Sequence, residues 1–194
     1  MEDRILKYLS KFTTITQELE HAINEGAFFQ TYKKGTVLLK EGHYSNVCYF
    51  ILEGCIRSYL LKDGEERTIE FYTEEQAVTP ANYGKSTPSP YYLECIEDTL
   101  VNVGNASLEK EMYQKYPQLE SLSRVIGEAV LTQQQESFTA FKTSTPEERY
   151  LNILNTRPDL LQRASQHQIA SYLGIKPESL SRIRKRILTN NLIS

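Results

Sequence analysis

Residues 163–188 read RASQHQIASYLGIKPESLSRIRKRIL: two short helices separated by a glycine turn. The first opens at Ser165, whose hydroxyl is placed to accept the backbone N–H of Gln168 while the Gln168 side chain reaches back to Ser165, a capping box. Ile169, Ala170 and Leu173 make one apolar stripe, with small Ala170 where a second helix can cross closely. Gly174 can take the left-handed conformation that stops a helix. Ile175 plugs the turn, and Pro177 sits at a first helical position, where its missing N–H costs nothing. Leu180, Ile183 and Ile187 bury the second helix and leave Glu178, Ser179, Ser181, Arg182, Lys185 and Arg186 facing outward. Caps, turn, stripe and charge agree on a helix-turn-helix. An exposed helix N-terminus rich in hydrogen-bonding side chains suits the DNA major groove, where Arg182 can form a bidentate pair with a guanine edge. The plainer alternative is a helical hairpin with a solvated basic face.

The chain has 194 residues and a net charge of −3, a balance that at first argues against a nucleic-acid partner. The charge is unevenly spread. Beyond Thr145 there are eight Lys and Arg against four acids, a local +4 that leaves −7 to residues 1–145. The phosphate-binding surface is therefore expected in the C-terminal part, with the rest away from DNA. No apolar run of about 18 residues occurs and the first ten residues carry acids without a long apolar core, so neither a membrane span nor a signal peptide is read and a cytoplasmic location is expected. Cys48, Cys55 and Cys95 are too few and scattered for a disulfide framework or zinc knuckle and read as packing in strands.

Residues 3–25 read as two short helices, with Ile5, Leu6 and Leu9 on one face and Thr16, Leu19 and Ile23 on another, ended by Gly26. From Phe28 the pattern changes to short β-rich runs punctuated by Gly35, Gly42, Gly54 and Gly64, with a hairpin at Lys62–Glu65. Such spacing indicates a small antiparallel barrel or roll. A Pro/Ser/Tyr-rich loop, residues 79–92, interrupts it before YYLECIE and TLVNVG close it. Pro117 opens a long helix to about Lys142, in which Leu119, Leu122, Ile126 and Ala129 follow the steps of a helix-helix seam. That seam reads as a dimer interface in preference to packing on the chain's own roll, since a helix-turn-helix usually needs a second copy on a two-fold operator. Phe138 and Phe141 lie off it and are expected to face the roll or the DNA-binding part. Thr145-Pro146-Glu147-Glu148 restarts a helix with a second capping box, making residues 142–145 a hinge. The expected fold is α+β, divided into residues 1–115, 116–143 and 144–194.

In order and spacing, KKGTVLLKEG, FILEGCIRSYL, KDGEERTIEF, the helix after Pro117, STPEERYLNIL and QIASYLGIKPESLSRIRK resemble the CRP/FNR family of bacterial transcription regulators, over essentially the whole chain. The resemblance implies a cyclic-nucleotide-binding-like jelly roll, a dimerisation helix and a C-terminal winged helix-turn-helix. It implies a homodimer on a pseudo-palindromic operator in double-stranded DNA, with RNA polymerase as a further partner. The family's Glu-x-x-Ser-Arg signature falls on Glu178, Ser181 and Arg182, which would read a cytosine amine, a neighbouring base and a guanine. Gln166 and His167 match phosphate-holding positions, and Ser179, Lys176 and Lys185 complete the expected DNA-binding set. By analogy an unknown effector would sit beneath the 79–92 loop, near Tyr83, Lys85, Tyr91 and Tyr92.

Three departures narrow this. The stretch EQAVTPANYGKSTPSPYYLEC has no arginine to pair with a cyclic phosphate and Lys85 as its one cation, so cAMP is not expected. Residues 1–47 hold no cysteine, so no iron-sulfur cluster is expected and no cofactor is assigned. The chain stops at Ser194, where relatives continue into a β-hairpin wing, so the wing is expected to be mostly absent or the sequence truncated. An enzyme is disfavoured: His21, His43 and His167 fall on three separate segments, and no phosphate loop or nucleophile pattern occurs. The remaining rival is a ligand-sensing or protein-interaction module that has lost DNA binding, suggested by the wing and by Lys176 where an N-cap Ser or Thr is preferred.

Overall fold

The computed structural model describes residues 2–191; the expected loss of the wing concerns the chain beyond them and lies outside the described residues. Two helices lead, α1 (Glu2–Leu9) and α2 (Gln17–Gly26). The second starts where Thr16 Oγ1 accepts from Leu19 N, so Thr16 caps the helix and does not share the face of Leu19 and Ile23 as the spacing suggested. Eight strands follow: β1 (Phe29–Tyr32), β2 (Val37–Leu39), β3 (Val47–Glu53), β4 (Ile56–Lys62), β5 (Glu65–Tyr72), β6 (Ala77–Val78), β7 (Tyr92–Cys95) and β8 (Thr99–Asn105). They form two antiparallel sheets ordered β1-β8-β3-β6 and β2-β7-β4-β5. Between the sheets lie Leu39, Tyr49, Ile51, Ile56, Val78, Leu93, Cys95 and Val101. The hairpin turns at Asp63 and Gly64, both at positive φ, with Lys62 opposite Glu65, as a two-residue loop requires.

Gly54 is needed for closeness as well as conformation. Its φ is 102°, and a Cβ there would meet the backbone of Thr99 at 2.6 Å. It links β3 to Cys55, which precedes β4 and is packed in the turn, not in a strand.

After the roll come α3 (Ala106–Lys115) and α4 (Pro117–Thr143). The first of these was not apparent from periodicity; its signal is Asn105, whose side chain accepts from Leu108 N at 2.9 Å. The chain ends in α5 (Pro146–Thr156), α6 (Leu160–Arg163), α7 (Gln166–Tyr172) and α8 (Pro177–Asn191). Both capping boxes form, at Thr145 with Glu148 and at Ser165 with Gln168. Their core of Tyr150, Ile153, Leu160, Ile169, Ala170, Leu173, Leu180, Ile183 and Ile187 continues into Cys55, Phe71 and Ile96 of the roll. The C-terminal helices therefore pack on the outer face of the β2-β7-β4-β5 sheet. Among the described residues no helix is long and apolar enough to cross a membrane.

Candidate nucleic-acid interface

The turn between α7 and α8 is built as its residues dictate. Gly174 has φ 71°, and Ile175 N donates to Ala170 O at 3.0 Å, closing the end of α7 with Ile175 packed on the core. Leu180 is 1% exposed, with Ile183 and Ile187 also buried beneath α8. Burying these three fixes the opposite face toward solvent: Glu178, Ser181, Arg182, Arg184, Lys185 and Arg186 are exposed and Ser179 is half-buried. Gln166 and His167 are exposed in the first turn of α7, and Lys176 just before α8.

The ridge of α8 separates two shallow hollows. One of about 350 Å³ brings Gln166 together with Ser181, Arg184, Lys185, Leu188 and Thr189. The other, of about 390 Å³, brings Ser179 and Arg182 beside Thr145, Glu147 and Arg186. Arg184 is not among the outward-facing residues that the apolar spacing picks out, although it stands in the basic SRIRKR run. Arg186 donates to Glu147, one of these bonds being 3.2 Å, which ties it to α5.

The basic residues divide by role. Arg163 Nε donates to Glu97 at 2.8 Å, and its terminal nitrogens to Glu74 at 2.8 and 2.9 Å and Asp159 at 3.0 Å. Burial alone would favour loss of its charge, but these carboxylates outweigh burial and raise its pKa. Arg157 donates to Phe71 O at 2.7 Å and to Glu70 at 3.3 Å. Both face the roll, so they are not part of a phosphate surface, and the charge excess overstated that surface. Among the described residues Lys176, Arg182, Arg184 and Lys185 pair with no carboxylate.

Elsewhere the expected sites are placed differently. Tyr91 packs against the roll interior and its hydroxyl accepts from Ala81 N. Tyr92, the next residue on the strand, points to the outer face and stacks on Tyr59 with centroids 5.0 Å apart. Tyr83 donates to Glu109 of α3 at 2.8 Å, and Lys85 is exposed. The loop thus does not gather these four around one pocket. Nor do the residues fit a cyclic phosphate: Lys85 stands in solvent, and Arg57 of β4 is on the outer face, where it donates to Glu66 and Glu94 and lies over the Tyr59 ring.

On α4, Leu119 packs against Ala22, Met112 and Tyr116 of the same chain and Leu122 is buried, whereas Ile126 is half-buried and Ala129 exposed. Val125, Leu131 and Phe138 add exposed apolar surface. Phe141 faces the C-terminal helices as expected, stacked on Arg149 at 3.8 Å. Phe138 is instead 62% exposed, with Lys142 of its own helix over its ring.

Residues 29–115 match the cyclic nucleotide-binding domain family. The chain is 26% identical over 175 residues to the transcriptional activator protein Anr of Pseudomonas protegens, covering 84% of this chain and 71% of that protein. Among solved structures it is similar to FixK2 from Bradyrhizobium japonicum, with a TM-score of 0.68, 23% identity and coverage of 85% and 86% of the two chains. The catabolite activator protein of Thermus thermophilus superposes with a TM-score of 0.56 at 14% identity, over 95% and 88% of the chains.

Proposed function

We propose that this chain is a transcription regulator of CRP/FNR type, cytoplasmic and non-enzymatic, that reads double-stranded DNA as a homodimer; its match to the cyclic nucleotide-binding domain family and its likeness to Anr and FixK2 support this reading. The observation that carries this is α8: three buried aliphatics hold it so that Glu178, Ser181, Arg182 and Lys185 project together, with Gln166 and Arg184 alongside. In this reading Glu178, Ser181 and Arg182 meet base edges, while Gln166, His167, Lys176, Ser179, Arg184 and Lys185 hold backbone phosphates. The open half of the α4 seam, from Ile126 onward, meets its copy. The roll carries an effector other than cAMP or serves as a fixed scaffold, and RNA polymerase is the downstream partner.

Selection from random DNA followed by electrophoretic shift tests this. A two-fold site should emerge, and Arg182→Ala should lose about 1–3 kcal/mol there and relax preference at one base. Loss spread equally over all sequences would reduce Arg182 to a phosphate contact, and failure to retain any fragment at low salt would sink the function itself. Ile126→Asp should sediment as a monomer; an unchanged dimer would place the interface elsewhere.

A further inference from the structure

We infer that Arg163 and Arg149 are positioning residues that clamp the DNA-reading helices between the roll and the end of the dimer helix, in the pose that reads DNA, without touching nucleic acid. This rests on the DNA-reading function proposed above.

One side of the clamp faces the roll. Arg163, with its side chain only 17% exposed, gathers Glu74 and Glu97 from two separate corners of the roll and Asp159 from its own segment. Further along β5, Ser171 Oγ accepts from Thr68 N at 2.9 Å and donates to Glu66 O at 3.1 Å, so the first helix of the reader is bonded directly to the β5 backbone. Tyr172 meets Phe71 edge-on at 5.4 Å, closing the apolar contact. Undocking would part Arg163 from Glu74 and Glu97, while Asp159 moves with it, so the two charge-assisted contacts to the roll are what favour the docked position.

The other side faces α4. Arg149 lies on the ring of Phe141 and donates to Ser144 O at 3.2 Å and to Leu173 O at 2.9 Å. Leu173 O belongs to the end of α7, where carbonyls lack helical partners. A single guanidinium therefore joins the last turn of the dimer helix to the helix-turn-helix turn, across the expected hinge. Docking uses the Ser171 and Tyr172 side of α7 and leaves Gln166, His167 and the outer face of α8 open, which is why the held pose is a reading pose and not a masked one. Two readers fixed to one dimer bind a two-half-site operator without first being ordered, an advantage that a single half-site does not report.

The test uses the full chain, the selected two-half-site duplex and a duplex with one half-site. Thr68 amide exchange is an independent readout, because its acceptor lies on the reader. Arg163→Met should speed that exchange and weaken two-half-site binding about tenfold, with half-site affinity and salt slope unchanged, and Arg163→Lys should restore part of both. Arg149→Met should weaken two-half-site binding with Thr68 exchange unchanged, since it has no contact with the roll; it stands in should Arg163→Met fail to fold. A salt slope reduced by about one would make the arginine a phosphate contact. Tighter binding would make docking inhibitory, and equal loss on both duplexes, or none, would remove the positioning role. If the wild-type chain selects no DNA, the DNA-reading function has failed, and with it the claim of a reading pose; Thr68 exchange then decides only whether Arg163 holds the helices.

Discussion

Gly54→Ala should be among the most damaging single-methyl additions to the roll. Two costs combine. At φ 102° a Cβ strains the backbone by about 1–2 kcal/mol, the penalty of left-handed conformations for L residues. The new carbon would also stand 2.6 Å from Thr99 Cα and 2.7 Å from Asp98 O. Backbone cannot rotate aside, so overpacking adds about 1–3 kcal/mol. The total is about 2–5 kcal/mol, or roughly 4–20 °C in Tm for a chain of this size. Gly35→Ala is the matched control, since its φ is 81° with nothing within 4 Å and only the backbone cost of about 1–2 kcal/mol applies. Urea unfolding should move the Gly54→Ala midpoint well below that of Gly35→Ala at constant slope. Equal losses in the two variants would refute the close-approach argument and leave conformation as the whole effect.

Two further outcomes are expected. Arg57→Met keeps the aliphatic stem but leaves Glu94 without its donor, so stability should fall by about 1–3 kcal/mol; a change within about 0.5 kcal/mol, as at ordinary surface sites, would mean the ion pairs contribute nothing. Docking of the reader should weaken only in acid. Burial pushes the Glu74 carboxyl up, but bonds from Arg163 and from backbone N–H groups outweigh it and hold the pKa below the usual 4.5. A lowered folded pKa gives stability that is complete above the unfolded value and lost as pH falls through the folded one. Thr68 exchange corrected for intrinsic rate should therefore be flat near neutrality and accelerate in acid, with Glu74→Gln removing part of that dependence; acceleration near neutral pH would point to another group.

The helix-turn-helix was legible because its signals act over a few residues: Ser165 finds Gln168 three positions away, and Gly174 needs no partner to turn. The strands were legible for the same reason, through glycine spacing and alternation. What escaped was long-range. Nothing near Arg163 in sequence announces that its carboxylates sit 66 and 89 residues earlier, at Glu97 and Glu74, so its charge was credited to DNA. The separation of Tyr91 from Tyr92 was available in principle, since neighbouring strand residues point to opposite faces. Helix α3 lacks a strong apolar stripe, with Met112 its sole buried residue, and β6 has two residues, too short for any periodicity.

Strand β5 is the last in its sheet, and besides its own charged residues a helix from the far end of the chain protects it. Ser171 occupies the Thr68 N–H and Glu66 carbonyl, two groups that would otherwise invite another strand to pair. The helix-turn-helix part is thus also the guard of an open sheet margin, with Phe71 and Cys55 beneath it. Cutting the chain after α4 should yield a roll that self-associates through that margin, and while the chain is being synthesised the roll should stay adhesive until its last helices arrive.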